Sequence, residues 1–394
     1  MRLVLIITDY GSFNNFLSEV AVELLKQGND VHVICSGLKI YNYQDKYPYE
    51  SMGIVFHFLN FPRSFNLLSQ LTASKAIGKK VYEINPDLVN VHFTTGIFTT
   101  VIWKKLPFFT IGTIHGLGYP VIQGRLMRKI FKFVEKICFK RVDQIYLLNN
   151  LDFNLVKALH PMKAFKYNSY GVGCDLEKFN PDKINPSLRR DSRNSLSINA
   201  DDFVLAFTGR FVTFKGFDIL VKAMISIIKD AGLQDIRLLL IGGEDPAHKS
   251  GLSDEEEYFY KNHPQIIPIG FTGEVEQYLA MTDLFVFPSF KEGMPVCIME
   301  ALSMGIPVIT SDSRGCNDLI SDHFNGLLLS NPPSVEETQA AILKLYYDRI
   351  LLKNLSSNAL INRNQLSRDT YAQEQISIYK KILSISTQVI SDSD

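Results

Sequence analysis

The chain has 394 residues, 46% of them hydrophobic and 21% charged, with equal numbers of acidic and basic side chains; it is too long for one ordinary core and has the composition of a globular two-domain protein. No apolar run approaches the roughly 18 residues of a membrane span, and the opening Met1–Asp9 segment has too short an apolar core for a signal peptide, so a first strand in a cytoplasmic protein is expected. Five cysteines (Cys35, Cys138, Cys174, Cys297, Cys316), odd in number and widely spaced, exclude a disulfide framework or a Cys-x-x-Cys zinc site.

Leu3 to Ile7 is a continuous apolar strand, and Asp9-Tyr-Gly11-Ser12 is expected to be a turn leading into a helix from about Asn14 to Gln27. Gly28 and Asn29 stop that helix, and Val31 to Cys35 makes a second strand. This βαβ opening predicts a doubly wound parallel sheet. Pro86–His92 and Phe109–His115 are strands of the same kind, so two histidines emerge at carboxyl ends of strands, where open α/β sheets bind ligands. The eight histidines never fall at metal-ligand spacing.

Charge is unevenly placed: residues 1–184 carry 22 basic and 14 acidic side chains, and the remainder carries 19 and 27. The first half is therefore expected to meet an anionic partner. Between Gly124 and Arg141, seven bases (Arg125, Arg128, Lys129, Lys132, Lys136, Lys140, Arg141) interleave with apolar residues against the single acid Glu135. That pattern fits a core helix with a solvated basic face, or an amphipathic surface drawn to anionic headgroups, or both. From Asp182 to Ala200 the chain is polar without apolar periodicity, and an interdomain linker is expected there.

A second strand-rich half begins at Phe203–Phe207. Thr208-Gly209-Arg210 and Lys215-Gly216 follow, with both cations expected beyond the strand's end and able to reach a diphosphate. Ile266–Ile269 with Gly270-Phe271-Thr272-Gly273, and Pro307–Thr310 with Ser311–Asp318, repeat the strand-then-loop pattern. Between them lies the most informative stretch. Leu284–Phe287 is a buried strand ended by Pro288-Ser289, and Pro295 and Gly305 bracket a short, nearly all-apolar helix. Glu300 is expected to be buried in that helix and to need hydrogen-bond donors. Glu292 falls in the loop before it, Gly293 allows close approach of a ligand, and the helix N-terminus offers N–H groups to an anion. Thr370–Leu383 reads as a last helix, with Ala372, Ile376, Tyr379 and Leu383 on one side, and a disordered tail is expected after Ser384.

Glu292-Gly-Met-Pro295 through Glu300-Ala301 and Gly305-Ile-Pro-Val308 resembles the Glu-x7-Glu signature of the retaining glycosyltransferases of family GT4, and Phe207–Arg210 with Lys215-Gly216 resembles their phosphate-binding segment. The likeness extends loosely over nearly the whole chain. It implies a GT-B fold: two Rossmann-like doubly wound domains facing across a crevice, an acceptor-binding one over 1–184 and a nucleotide-sugar-binding one over 185–369, with residues 370–394 crossing back as a helix and tail. By the same resemblance Gly11 and Ser12 lie at the crevice, where many members have two glycines, and Gly209 belongs to the diphosphate segment. His115 lies near the transferred sugar, and the Phe271-Thr272 loop holds the base. Glu300 holds the ribose hydroxyls, Glu292 holds the sugar hydroxyls, and the backbone of Gly293, Met294, Pro295 and Val296 lines the sugar pocket. Asn168–Pro181 resembles the segment closing the first domain, and Asp318 stands where members often have glutamate.

The implied reaction is transfer of a sugar with retained anomeric configuration from a nucleotide sugar, UDP-linked by preference. The implied acceptor is a polyprenyl-diphosphate-linked glycan or surface polysaccharide, and the Gly315-Cys316 loop resembles transferases of capsule and O-antigen assembly. The lone Asp-x-Asp spacing, Asp392-Ser-Asp394, sits at the chain end. Neither a metal nor another cofactor is therefore expected, and His115, Glu292, Arg210 and Lys215 carry the catalysis. A peripheral position on the inner face of the cell membrane, with no nucleic acid partner, completes the expectation. A sugar-nucleotide epimerase on the same fold or a non-catalytic sugar-nucleotide-binding protein are the alternatives. A dinucleotide dehydrogenase is excluded because no Gly-x-Gly-x-x-Gly follows the first strand.

Overall fold

The computed structural model describes residues 1–38, 45–62, 66–122 and 124–391. The chain divides into two compact units, residues 1–172 with 368–394, and residues 173–367.

The first unit is built on a seven-stranded sheet, with strands β1 (Arg2–Asp9), β2 (Asp30–Ser36), β3 (Val55–Phe58), β4 (Leu88–His92), β5 (Thr110–Ile114), β6 (Gln144–Leu147) and β7 (Ala164–Lys166) in the order β3-β2-β1-β4-β5-β6-β7. Every pairing is parallel. The continuous apolar run Leu3–Ile7 is wholly buried, as a strand covered on both faces requires. The strand order reverses between β1 and β4, so the carboxyl ends of these two strands open a crevice suited to a ligand.

The helix expected from Asn14 to Gln27 starts earlier and is broken. Tyr10–Phe16 and Ser18–Lys26 are separate helices meeting at Leu17, whose ψ is −5°. The early start has a cause in Asp9, whose carboxylate caps the first helix by accepting from the Ser12 N–H at 2.9 Å and the Ser12 hydroxyl at 3.0 Å. Gly11 and Ser12, expected in a turn, are therefore in the first helical turn.

The second unit holds β8 (Phe203–Phe211), β9 (Ile236–Glu244), β10 (Ile266–Gly270), β11 (Leu284–Phe287), β12 (Val308–Ser311) and β13 (Gly326–Leu329), all parallel, in the order β10-β9-β8-β11-β12-β13. Its reversal falls between β8 and β11. The stretch 182–200, expected as a linker, is folded within this unit as the helix Pro186–Ser195 and its flanks. Composition misled because the stretch is anchored by one cation. Arg193 is buried, and its guanidinium lies against the carbonyls of Asn199, Ala200, Asp202 and Met281 and the Asp283 carboxylate.

The last helix, Arg368–Ser391, belongs to the first unit and runs past Ser384, where a disordered tail was expected. The segment after Ser384 contains neither glycine nor proline to stop it. Ala372, Ile376 and Tyr379 are buried as their spacing predicts, while Ile382 is buried in place of Leu383. Polar contacts fix the docking: Asn90 Nδ2 donates to the Tyr379 hydroxyl at 2.6 Å, and Glu374 accepts from the backbone N–H groups of Asn168 and Ser169. Asp392 and Asp394 lie outside the described residues.

Candidate active site

At the reversal of the second sheet, the segments after β8 and β11 are forced together. The chain leaves β8 through a 3-10 turn, Thr213–Lys215, and reverses at Gly216 with φ +71°. A Cβ at Gly216 would stand 2.2 Å from the Pro288 carbonyl oxygen, so only glycine admits both this backbone and this approach. The result is a short ion pair: Lys215 Nζ lies 2.6 Å from Glu292 Oε1. Glu292 is 8% exposed, and the Ser289 hydroxyl donates to the same Oε1 at 2.6 Å. Lys215 Nζ also stands 5.4 Å from the centre of the Phe287 ring.

The loop after β12 closes the other side. Ser311 and Ser313 both donate to the Ser289 carbonyl, and Arg314 Nε donates to the Glu292 carbonyl at 2.6 Å. Gly315, with φ +78°, sits where a Cβ would be 2.3 Å from the Gly293 carbonyl oxygen. Burial pushes the Cys297 thiol well above its usual range; Lys215 opposes that shift while Glu292 and Glu300 add to it. Lys215, Glu292 and Glu300 are thus within electrostatic reach of one thiol, as Cys316 is. The Cys316 thiol is itself pushed up to about 12 by burial first and Glu292 second. These thiols stay protonated near neutral pH and act as packing groups rather than nucleophiles.

Two expectations about this site are corrected. Glu300 is not locked in an apolar interior. On the helix Val296–Ser303 its neighbours Ile298, Met299, Ala301 and Leu302 are buried, but the turn brings Glu300 round to the partly exposed side with Val296 and Cys297. Glu292, expected in the loop, is the more buried of the two acids. Arg210 does not lie beyond its strand: the β8–β9 ladder continues through Phe211↔Glu244, so Arg210 is a strand residue opposite Gly243. Its guanidinium pairs with Asp245 after β9 and lies 5.4 Å from the Phe214 ring centre, while the side chain is 47% exposed.

The remaining expected residues fall around this centre. Gly209 lies in β8 just past its buried run, which ends at Phe207. Phe271, 79% exposed, follows β10 with its ring against Gly243, and Thr272 Oγ1 accepts from the Glu274 N–H at 3.0 Å. Gly293, Met294 and Val296 are partly exposed, and Pro295 is the extended residue just before the helix. Sequence reading missed Ser289 and Arg314 as supports of Glu292. Their position at strand ends flanking the acid was the available signal.

In the first unit, Gly11 and Ser12 stand at the end of β1, next to β4 across the reversal. His92 and His115 end β4 and follow β5, and they pair directly, His92 Nδ1 to His115 Nε2 at 3.0 Å. Burial lowers the His115 ring to about 3 and holds His92 well below the usual imidazole range, with His115 adding to the latter. Both rings are neutral near pH 7, so one donates and the other accepts. The His115 ring packs 4.4 Å from that of Phe93, and the far nitrogen of His92 is buried without a protein partner. The geometry makes His92 the support of His115.

Two family models match the chain: Glycosyl transferase 4-like over residues 4–150 and Glycosyl transferases group 1 over residues 189–361. The chain belongs to the GT4-like group 1 glycosyltransferases. Among curated relatives of this glycosyltransferase is the Escherichia coli UDP-Gal:alpha-D-GlcNAc-diphosphoundecaprenol alpha-1,3-galactosyltransferase, 24% identical over 73% of this chain and 74% of the relative. Another is the Campylobacter jejuni N,N'-diacetylbacillosaminyl-diphospho-undecaprenol alpha-1,3-N-acetylgalactosaminyltransferase, 27% identical over 71% and 72%. Among solved structures, Anabaena Alr3699/HepE in complex with UDP superposes with a TM-score of 0.76 at 16% identity, covering 97% of this chain and all of the other. That likeness shows the GT-B fold.

Proposed function

We propose that this glycosyltransferase moves a hexosyl group from a UDP-sugar to a polyprenyl-diphosphate-linked acceptor, with retention of configuration and without a resident metal or other cofactor. The observation that carries the reading is the Lys215–Glu292 pair at the reversal of the second sheet. As the anomeric bond breaks, charge collects on the departing diphosphate, and a preorganised cation stabilises it in a way bulk water cannot. Lys215 has three N–H donors; one is held by Glu292, which aims the ammonium, and the others remain for phosphate oxygens. The bonds to the Glu292 side chain fall on Oε1, so Oε2 is left to accept from sugar hydroxyls.

Glu300, at the open edge of its helix, accepts from the ribose hydroxyls, and the Phe271-Thr272 loop receives the base. The backbone from Gly293 to Val296 lines the sugar, and the diphosphate lies toward Gly209. In the first unit, neutral His115 can offer a hydrogen bond to a ligand without adding a positive charge. Arg210 is held by Asp245 and is an auxiliary cation. Retention follows from attack on the face that the leaving group vacates, for which no protein nucleophile is required.

The relatives whose printed names specify diphosphoundecaprenol acceptors support a lipid-linked acceptor, and with it work at the cytoplasmic face of an anionic membrane. Among the described residues no helix is long and apolar enough to cross a membrane, so this contact is peripheral. The deciding experiment incubates the protein with a panel of UDP- and GDP-sugars and short polyprenyl-diphosphate acceptors in EDTA. Product with retained anomeric configuration by NMR is expected from a UDP-sugar. Turnover only after a divalent ion is restored would overturn the metal-independent part, and an inverted product would overturn the rest of the mechanism.

A further inference from the structure

The helix Arg125–Lys140 is built the wrong way round for a helix that only covers a core. Its inward side is supplied by Phe131, Val134, Cys138 and Phe139, which pack into the first unit's core. A second apolar stripe remains outside: Leu126, Ile130 and Phe133 are 72%, 45% and 65% exposed, and Ile137 continues the row one turn on. Their spacing of four, three and four residues places them on one face. Scattered exposed apolar residues are ordinary, but a continuous row of four on one helix is an interaction surface.

Charge names the occupant. Arg125, Lys129, Lys132, Lys136 and Lys140 form a parallel exposed stripe beside the apolar row. The helix's one acid, Glu135, is turned inward, where it accepts from the backbone N–H groups of Gly118 and Tyr119 at 3.0 and 3.2 Å. Among the described residues no carboxylate pairs with the bases of this stripe. An apolar row flanked by unpaired cations suits a plane that is greasy at one depth and anionic just above it.

We infer that this helix lies in the plane of an anionic lipid bilayer, with Leu126, Ile130, Phe133 and Ile137 at the acyl boundary and the lysines among the headgroup phosphates. The inference deepens the peripheral contact in the function proposed above and rests on that reading for its purpose, but its test needs no turnover, so the two can fail separately.

The full-length protein is mixed with vesicles of phosphatidylcholine alone or with phosphatidylglycerol and then sedimented. Binding to the anionic vesicles is expected to exceed binding to the neutral ones and to fall with salt. Leu126→Ser with Ile130→Ser and Phe133→Ser is expected to weaken it by about tenfold or more. Each of Lys129→Gln, Lys132→Gln and Lys136→Gln is expected to cost on the order of fivefold on the anionic vesicles. Trp103 is the chain's one tryptophan, so Phe133→Trp in a Trp103→Phe background gives a depth probe that keeps the row apolar, and its emission should shift to the blue on anionic vesicles. No binding by the wild-type protein, full binding by the triple variant, or an unshifted emission would each overturn the inference. So would a wild-type dimer that the triple variant turns into a monomer, because a second copy would then be the occupant.

Discussion

The two units use the same device, a parallel sheet whose order reverses beside its first strand, and equip it with opposite electrostatics. In the first unit the carboxyl ends near the reversal carry a buried His92 and a partly exposed His115, two rings held neutral and bonded to each other at 3.0 Å. In the second they carry Lys215 and Glu292, a charged pair at 2.6 Å braced by Ser289. A neutral pair can orient hydroxyls and exclude charge; an ion pair at the edge of a crevice can receive it. The architecture thus sets where chemistry can occur, and a few loop residues decide its sign.

Removing the charge on one side should break this asymmetry most. Lys215→Ala is expected to lower transfer by roughly a hundredfold or more with little change in Tm, and steady-state rates beside a thermal melt check both halves. Glu300→Ala is expected to cost about a hundredfold as well, mainly in donor affinity, which calorimetric titration with UDP reads directly; unchanged binding would remove Glu300 from the donor site. Gly216→Ala acts on the geometry that delivers Lys215. With a Cβ 2.2 Å from the Pro288 oxygen and φ at +71°, it is expected to destabilise the second unit by about 1–3 kcal/mol in urea unfolding.

Arg210→Ala sharpens the contrast, because its guanidinium is committed to Asp245. Less than about tenfold loss of transfer is expected, and a loss equal to that of Lys215→Ala would restore Arg210 to the catalytic centre. In the first unit the expected effect is on stability rather than on rate. The His115 ring titrates near 3 in the folded protein against about 6.5 when unfolded, so the unfolded chain binds more protons between those values. Stability is therefore fully present above about pH 6.5 and declines as pH falls toward 3. His115→Gln should flatten that decline in denaturant titrations between pH 6.5 and 4.

Much of this was legible without coordinates. The apolar runs at Leu3–Ile7, Phe203–Phe207 and Leu284–Phe287 announced buried parallel strands, and the order Lys215-Gly216, Glu292-Gly293, Pro295, Glu300 marked the carboxyl edge of the second sheet. The reading of 182–200 failed because polarity alone resembles a linker, while one buried Arg193 was enough to fold the stretch. The placement of Arg210 failed because a strand's end is set by how far its neighbour continues, and β9 continues to Glu244.

The local pattern of apolar runs, glycines and acids was sufficient for the parallel sheets, the family and the residues at the strand ends, since periodicity and turn chemistry act over a few neighbours. Which acid is buried and which faces solvent, which cation meets Glu292, and which apolar stripe of Arg125–Lys140 stays outside were decided by contacts between segments dozens of residues apart. Burial and pairing are properties of what comes to lie alongside a residue, and nothing in its own neighbourhood of the chain encodes that.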